Sequence, residues 1–236
     1  MRKISKVVNY VWVGGGEKSD FINACIHDWS KMLPQFKIVE WSEKNIELEK
    51  IINESPFIKK CYEKKMWAFV SDYIRMKVLY ENGGIYLDTD ITIVKDLTPL
   101  LEEDFFIGKE NEDYISAGVI GCKPKSIIIK KIIDFYQKEA MMSELYTLPM
   151  IITCIFERNP EFYKIAKVYE PKYFYPYYYN EHFTESCLTE KTYTIHWWGK
   201  NWGNPKGTVF LKTKSLHGIY KIMKAIKLTI YSYINK

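Results

Sequence analysis

Residues 79–90 read LYENGGIYLDTD and contain the features that decide the fold. A helical pattern ends at the Gly83-Gly84 turn, and residues 85–87 form a short apolar strand that runs directly into Asp88 and Asp90. Close carboxylates repel each other unless a cation or hydrogen-bond donors meet them. Mg²⁺ and Mn²⁺ accept oxygen ligands of this kind. The stretch therefore predicts a metal-binding turn after a buried strand, with a solvated turn bearing two surface acids as the alternative.

Hydrophobic periodicity on both sides of this stretch predicts alternating strands and helices. We predict strands at 4–13, 36–41, 85–87, 91–94, 104–108 and 115–121, helices at 21–33, 44–60, 64–81, 126–140 and 144–157, and an irregular aromatic segment at about 169–200. This order favours an α/β fold in which helices flank a mixed sheet. Ligands of such sheets bind beyond the carboxyl ends of the strands. We therefore expect Trp12-Val13-Gly14 and Asp88-Thr89-Asp90 at one edge.

Composition bounds the class of protein. The chain has 236 residues, of which 47% are hydrophobic and 27% charged, with a formal net charge of +5. We expect one domain over 1–236 with no need of a structural crosslink. Five scattered cysteines without a CxxC pair argue against a disulfide framework and a zinc site, and favour a reducing compartment. Because there is no secretion signal and no run of 18 apolar residues, we expect a cytoplasmic protein.

The C-terminal segment at about 215–236 has the pattern of a basic amphipathic helix. One stripe carries Leu216, Ile219, Met223, Ile226, Ile230 and Ile234, and Lys214, Lys221 and Lys224 lie across from it. Two interpretations are open. The helix either rests on an anionic membrane leaflet, such as the inner face of the cell membrane, or packs on the domain with a solvated basic face.

Three motifs in order resemble the family 32 glycosyltransferases, the sugar transferases with a DXD motif. The core signature is matched by residues 68–75 (AFVSDYIR) together with 79–90, the opening by residues 10–15 (YVWVGG), and a terminal motif by residues 195–202 (IHWWGKNW). The chain is more distantly similar to the clostridial glucosylating toxins. The resemblance implies a GT-A type fold, which is a Rossmann-like mixed sheet flanked by helices.

The resemblance also implies roles for individual residues. It assigns the nucleotide sugar to Val11, Trp12, Asp72, Arg75, Tyr86, Asp88 and Trp202. It assigns a divalent metal, Mn²⁺ or Mg²⁺, to Asp90, His196 and Asp88, and catalysis to Asp90, Asp88, Arg75 and Asp72. Trp12 would stack on the base, although a buried strand tryptophan explains it too. Asp72 and Arg75 would hold sugar hydroxyls, although residues three apart on a helix also form ordinary surface ion pairs.

The function implied is metal-dependent, retaining transfer of a hexose from a nucleotide sugar, with a UDP-sugar favoured, and no nucleic-acid partner. The acceptor would be a saccharide or lipid-linked glycan in synthesis of a bacterial capsule or lipopolysaccharide. Residues 173–179 (YFYPYYY) contribute rings either to the core or to an acceptor surface. One alternative is a haloacid-dehalogenase-like phosphatase, in which Asp88 is the nucleophile and Asp90 the acid/base. Another is a sugar-binding module without catalysis, suggested by the 16% aromatic content.

Overall fold

A computed structural model describes residues 4–199, 213 and 216–234 of the chain. The strands are β1 (Val7–Val11), β2 (Lys37–Trp41), β3 (Gly84–Leu87), β4 (Ile91–Ile93), β5 (Phe105–Lys109), β6 (Ile115–Cys122), β7 (Lys167–Tyr169) and β8 (Thr194–His196). The helices are α1 (Asp20–Met32), α2 (Leu48–Asn53), α3 (Pro56–Glu63), α4 (Trp67–Asn82), α5 (Ile127–Lys138), α6 (Leu148–Arg158), α7 (Pro171–Phe174) and α8 (Gly218–Ile234). The sequence thus predicted most elements, with their ends shifted by a few residues.

Six strands form one mixed sheet in the order β2-β1-β3-β6-β5-β7, and β4 and β8 form a separate antiparallel pair. In the large sheet β1 runs parallel to β2 and β3, β6 runs antiparallel to β3 and β5, and β7 runs parallel to β5. The carboxyl ends of β1, β3, β5 and β7 therefore meet the amino end of β6 at one edge, which we call the carboxyl edge. The mixed α/β sheet expected from the sequence is confirmed.

Side chains on both faces of the sheet are buried, because helices cover each face. In β3, Tyr86 points into a core formed with α3 to α6, while Ile85 and Leu87 point into a second core that contains Trp29 of α1. Successive strand residues face opposite sides of a sheet, so a strand buried on both faces has an unbroken apolar sequence. This arrangement fixes the position of the turn at Asp88, which follows β3 directly.

The turn between α4 and β3 requires glycine. Gly83 and Gly84 have φ of +65° and +92°, and the Gly83 N–H donates to Leu79 O at 2.9 Å to close the helix. A Cβ at position 84 would lie 2.7 Å from Val7 O on the neighbouring strand. Side chains do not tolerate this conformation or this approach. The tight turn brings the buried face of α4 next to the carboxyl end of β3.

The predicted helix at 44–60 is wrong, because the chain forms two helices that break at Ser55-Pro56. The Ser55 hydroxyl accepts a hydrogen bond from Ile58 N–H, so this residue caps α3, and Pro56 occupies its first position. The helix predicted at 64–81 begins at Trp67 instead. Lys65 has a φ of +56° and ends α3, because Met66 N–H donates to Cys61 O and Lys65 N–H to Tyr62 O.

The segment predicted to be irregular at 169–200 contains three short regular elements, one of which is a 3-10 helix at Glu185–Cys187. Residues 171–174 form α7, and residues 194–196 form β8, which pairs with β4. Three- and four-residue elements contain too little periodicity to be read from a sequence. As expected, the aromatic run is partly core: Phe174, Tyr175 and Tyr177 are buried, whereas Tyr179 is 56% exposed.

Candidate active site

Arg75 lies at the centre of a buried ionic cluster at the carboxyl edge. Its Nη2 is 2.9 Å from Asp72 Oδ1 and 3.0 Å from Asp88 Oδ1, and its Nη1 donates to Ala117 O at 2.7 Å. The guanidinium also stacks over the Tyr86 ring, with 4.3 Å between the carbon and the ring centroid. Because Asp72 and Arg75 are only 3% and 6% exposed, the interpretation as an ordinary surface ion pair is wrong.

Burial controls the electrostatics of this cluster. It raises the pKa of Asp72 to about 7, against the lowering effect of Arg75. Burial alone would lower the pKa of Arg75, but the carboxylate of Asp88 and its neighbours raise it above its ordinary value. Asp72 Oδ2, Arg75 Nε and the Tyr136 hydroxyl are buried without a hydrogen-bond partner among the described residues. Buried polar atoms in native proteins are normally hydrogen-bonded, so these three atoms have capacity for a water molecule or a ligand hydroxyl.

Asp88, Asp90 and His196 form a second cluster beside the first, in which one possible ligand atom of each lies within 4.8 Å of the others. Asp90 Oδ1 is 3.1 Å from His196 Nε2, and Asp90 Oδ2 accepts a hydrogen bond from Gly199 N–H at 2.6 Å. The antiparallel pairing of β4 and β8 makes this contact, since it sets His196 opposite Ile91. The structure thus brings the three predicted metal ligands together, although His196 is more than 100 residues from both aspartates in sequence.

The donor set of this second cluster suits a divalent cation. Two carboxylates and one imidazole match the oxygen and nitrogen ligands that such ions take in proteins. Burial works to raise the pKa of Asp90, but hydrogen bonds from His196 and Gly199 hold it below its ordinary value. Burial works to lower the pKa of His196, and the Asp90 carboxylate raises it above its ordinary value. The residues therefore fit a metal, and Asp88 belongs to both clusters.

Asp88 is held from two sides. Its Oδ1 accepts from the Tyr86 hydroxyl at 3.2 Å and pairs with Arg75, and its backbone N–H donates to Gly118 O at 2.9 Å. A Cβ at position 118 would lie 3.1 Å from Asp88 Oδ2, which is tighter than nearly all contacts of real side chains. Glycine at 118 therefore lets β6 approach the carboxylate. Tyr86 is only 2% exposed. Its hydroxyl contacts Asp88 and its ring contacts Arg75.

The predicted nucleotide residues after β1 lie at the same edge. Trp12 is half-buried, its Nε1 donates to Gly16 O at 2.6 Å, and Lys18 Nζ lies 5.3 Å from the centre of its ring. The Val11 side chain is 5% exposed and packs in the core, which leaves only its backbone near the edge. Base stacking on Trp12 stays a prediction. Trp202 lies outside the described residues.

Two groups at the site were missed by the sequence reasoning. Gly199 N–H binds Asp90, and the Tyr175 hydroxyl accepts from Val119 N–H at 2.9 Å while its ring centre lies 5.7 Å from that of His196. The position of Gly199 directly after the Trp197-Trp198 pair and His196 was a usable signal. No spacing in the sequence relates Tyr175 to strand β6.

Part of the chain that carries both clusters matches a known protein family. The family model described as "glycosyltransferase sugar-binding region containing DXD motif" matches residues 19–107, which include Asp72, Arg75, Asp88 and Asp90. In its fold and over these matched residues, the chain is similar to glycosyltransferases that contain a DXD motif. The resemblance seen in the sequence is thereby confirmed.

Individual relatives agree with this class. Inositol phosphoceramide mannosyltransferase 3 of Schizosaccharomyces pombe (strain 972 / ATCC 24843) is 26% identical over 122 residues, which are 50% of this chain and 33% of the relative. The chain thus spans about a third of the length of this curated relative. Among solved structures, the PaToxG glycosyltransferase has a TM-score of 0.56 at 17% identity and covers 68% of this chain and 72% of its own. The UDP-bound glycosyltransferase domain of the YGT toxin has a TM-score of 0.50 at 9% identity, covering 97% and 90%. These structures confirm the GT-A type fold.

Proposed function

We propose that the protein is a metal-dependent retaining glycosyltransferase that moves a hexose from a nucleotide sugar, with UDP-hexose as the favoured donor. The acceptor is a saccharide or lipid-linked glycan, in synthesis of a surface polysaccharide such as a capsule or lipopolysaccharide. The cluster of Asp88, Asp90 and His196 beside the buried Arg75 carries this proposal. A mannosyltransferase among the relatives and a UDP-bound toxin domain among the similar structures support it.

The chemistry assigned to these residues follows from charge. When the bond between the sugar and the diphosphate breaks, negative charge develops on the leaving diphosphate, and a bound Mn²⁺ or Mg²⁺ supplies a positive charge there. Asp88, Asp90 and His196 would hold that ion. Arg75 orients Asp88 and Asp72, because its described hydrogen bonds go to these carboxylates and to Ala117. Asp72 Oδ2, which has no described partner, is the oxygen assigned to a hydroxyl of the donor sugar.

The bond changes are those of a front-face displacement. The acceptor oxygen forms a bond to the anomeric carbon, the bond from that carbon to the diphosphate breaks, and the acceptor proton passes to a diphosphate oxygen. In the phosphatase alternative, Asp88 would have to attack phosphorus. Its Oδ1 is engaged by Arg75 and Tyr86, and the comparisons give this alternative no support.

Binding of the nucleotide tests the proposed function. At a UDP concentration of 100 Kd with saturating Mn²⁺, we expect stabilisation of about 2.7 kcal/mol, which raises Tm by about 5–10 °C for a chain of this size. UDP with EDTA should shift Tm much less, because the diphosphate then lacks its cation. GDP is the control for base preference, and a panel of nucleotide sugars assayed for slow hydrolysis identifies the sugar. If neither UDP nor GDP changes the Tm with Mn²⁺ or with Mg²⁺, and the protein hydrolyses p-nitrophenyl phosphate, the phosphatase would be favoured.

We also propose that α8 contacts the membrane peripherally, at the inner face of the cell membrane, where the chain works as a cytoplasmic protein. Six apolar or aromatic residues of α8 are each more than half exposed: Ile219, Tyr220, Ile222, Met223, Ile226 and Ile230. Ala225 and Leu228 are half-buried. Of the stripe predicted from the sequence, Ile219, Met223, Ile226 and Ile230 are exposed and Leu216 is half-buried.

The charge of this region supports an anionic leaflet as the surface that α8 contacts. Residues 191–236 contain nine Lys and no Asp or Glu, and Lys221, Lys224 and Lys227 are exposed on α8. An amphipathic helix with lysines beside an apolar stripe lies in the plane of such a leaflet. Within the described part of the chain, no helix is long and apolar enough to cross a membrane.

Flotation with liposomes tests the membrane contact. We expect the protein to float with vesicles that contain about one third phosphatidylglycerol and not with vesicles of pure phosphatidylcholine. The reason is that each lysine near an anionic membrane surface contributes about 1 kcal/mol to binding. The variant Ile222→Asp/Ile226→Asp should lose most binding. A matched control, Ile127→Asp/Ile165→Asp, changes two exposed isoleucines elsewhere and should bind like the unmodified protein. Equal flotation of the two double variants would contradict the membrane contact. Equal flotation of the unmodified protein and of the chain without residues 215–236 would contradict it as well.

A further inference from the structure

The segment from His196 to Gly199 begins at the end of β8 and wraps around Asp90. Besides the contacts of His196 Nε2 and Gly199 N–H with the carboxylate, the backbone N–H of Trp197 donates to Asp90 O at 3.0 Å. Asp90 is therefore contacted by three of these four consecutive residues. The fourth residue of the segment is Trp198, whose backbone and side chain determine how the other three are presented.

Trp198 adopts a backbone conformation that is unusual for a bulky side chain. Its φ is +55°, in the left-handed region that disfavours residues other than Gly, Asn and Asp. Such a conformation persists only where the surrounding structure holds it. The next residue, Gly199, lies close to Asp90: its N–H donates to Oδ2 at 2.6 Å, and a Cβ at position 199 would be 3.1 Å from the same oxygen. The unusual turn thus delivers the Gly199 N–H to the carboxylate.

Contacts of the Trp198 side chain hold this turn in place. Its Nε1 donates to Tyr177 O at 3.0 Å. Its ring lies 5.9 Å from that of Tyr175 and 5.5 Å from that of Tyr178, measured between ring centres. Tyr175 is buried, and its hydroxyl accepts from Val119 N–H on β6. The indole is therefore anchored to the chain after α7 and, through Tyr175, to the large sheet.

The same indole packs against the imidazole of His196. The two ring centres are 4.3 Å apart with 51° between the ring planes, and the Tyr175 ring lies 5.7 Å from the imidazole with 75° between the planes. His196 Nδ1 is buried and has no hydrogen-bond partner among the described residues. A histidine that binds a metal is normally oriented by neighbouring groups that contact the rest of the ring. Here Trp198 and Tyr175 supply this orientation, together with the contact of Nε2 with Asp90.

We propose that Trp198 is a positioning residue for the metal site. Its indole orients the His196 imidazole and its backbone sets the Gly199 N–H on Asp90, so that Trp198 controls how tightly the proposed cation binds. The inference rests on the proposed function and deepens it, because Trp198 lies outside the three side chains assigned as ligands. It acts through His196 and Asp90 and takes no part in making or breaking bonds.

Trp197 provides a matched control, because it is a half-buried tryptophan of the same segment. Its Nε1 donates to Thr92 Oγ1 at 3.1 Å, and its ring centre lies 5.0 Å from that of Phe183. Replacing either tryptophan by phenylalanine therefore removes one N–H donor and reduces one packed ring. The Trp198 ring packs against His196, whereas the described ring contacts of Trp197 are with other aromatic residues.

Binding of Mn²⁺ alone tests the positioning role. Replacing a group that orients a metal ligand typically costs about 10- to 100-fold in affinity for the metal. We therefore expect Trp198→Phe to raise the Kd for Mn²⁺ by about 10-fold and Trp198→Ala by up to about 100-fold. The electron paramagnetic resonance signal of free Mn²⁺ measures this Kd. Trp197→Phe should bind Mn²⁺ like the unmodified protein, although both phenylalanine variants should lower the Tm without metal to a similar extent.

The same titration at saturating UDP, corrected for the Mn²⁺ that UDP holds without protein, should rank the variants in the same order. Circular dichroism reports whether each variant is folded, and Trp198→Phe decides the question if Trp198→Ala does not fold. An unchanged Kd for Mn²⁺ in Trp198→Phe, or an equal loss of affinity in Trp197→Phe, would overturn the positioning role alone. Absence of both Mn²⁺ and UDP binding by the unmodified protein would overturn the proposed function and the positioning role with it.

Discussion

Replacing Asp90 by asparagine is expected to lower glycosyl transfer by a factor on the order of 10² to 10³, the range seen when one electrostatic stabiliser of a developing charge is removed. Asp90 is the residue that contacts both His196 and Gly199. Asparagine keeps one oxygen that can accept from Gly199 N–H, so the local backbone is retained, but it removes the negative charge that attracts a cation. Turnover of the nucleotide sugar at saturating Mn²⁺ measures the loss.

Asp113→Asn is the matched control, because Asp113 is an exposed aspartate in the loop between β5 and β6. This variant should turn over at the rate of the unmodified protein. In Asp90→Asn the shift in Tm caused by Mn²⁺ and UDP should shrink while the Tm without ligands stays close to that of the unmodified protein. Retained activity of Asp90→Asn at high Mn²⁺ would show that the metal assignment is wrong.

Replacing Arg75 by methionine should destabilise the fold by about 3–5 kcal/mol, because it leaves buried carboxylates without their cation. For a chain of this length the change corresponds to a fall in Tm of about 6–20 °C. Asp72 is 3% exposed and its second oxygen already has no described partner, so it would suffer most. Thermal and urea unfolding followed by circular dichroism measure both quantities.

Two further variants give this experiment its controls. Arg158 is an exposed arginine paired with Glu139 at 2.8 Å, and Arg158→Met should cost at most about 1 kcal/mol. The double variant Asp72→Asn/Arg75→Met removes the buried charge on both sides and should recover part of the stability, although not the activity, since Asp88 still lacks its orienting partner. Equal stability of Arg75→Met and Arg158→Met would contradict the structural role given to the buried cluster.

The sequence predicted the parts of the site that depend on local patterns of residues. Apolar patterning was sufficient to place Trp12 and Asp88 at the ends of two strands, and the parallel pairing of β1 and β3 confirms that they share an edge. The spacing of Asp72 and Arg75 put them on one side of a helix. Their burial did not follow from that spacing, because it depends on how closely β6 approaches α4, where Ala117 O accepts a hydrogen bond from Arg75.

The break between α2 and α3 could have been predicted, because a cap residue followed by proline, as in Ser55-Pro56, is typical of a helix start. The wrong prediction there is an error of interpretation.

Other features of the site depend on contacts between distant segments. His196 was expected only through family resemblance. The three-residue strand that positions it has no periodicity of its own.

The pairing of β4 with β8 has a consequence for how the site is assembled. Asp88 and Asp90 are synthesised well before His196, and the imidazole joins the two carboxylates only when β8 docks on β4. A nascent or truncated chain that stops before this strand carries the aspartates without the imidazole. In such a chain the Asp90 carboxylate would lack its contact at 3.1 Å with His196 Nε2, and the proposed cation site would have two of its three side chains.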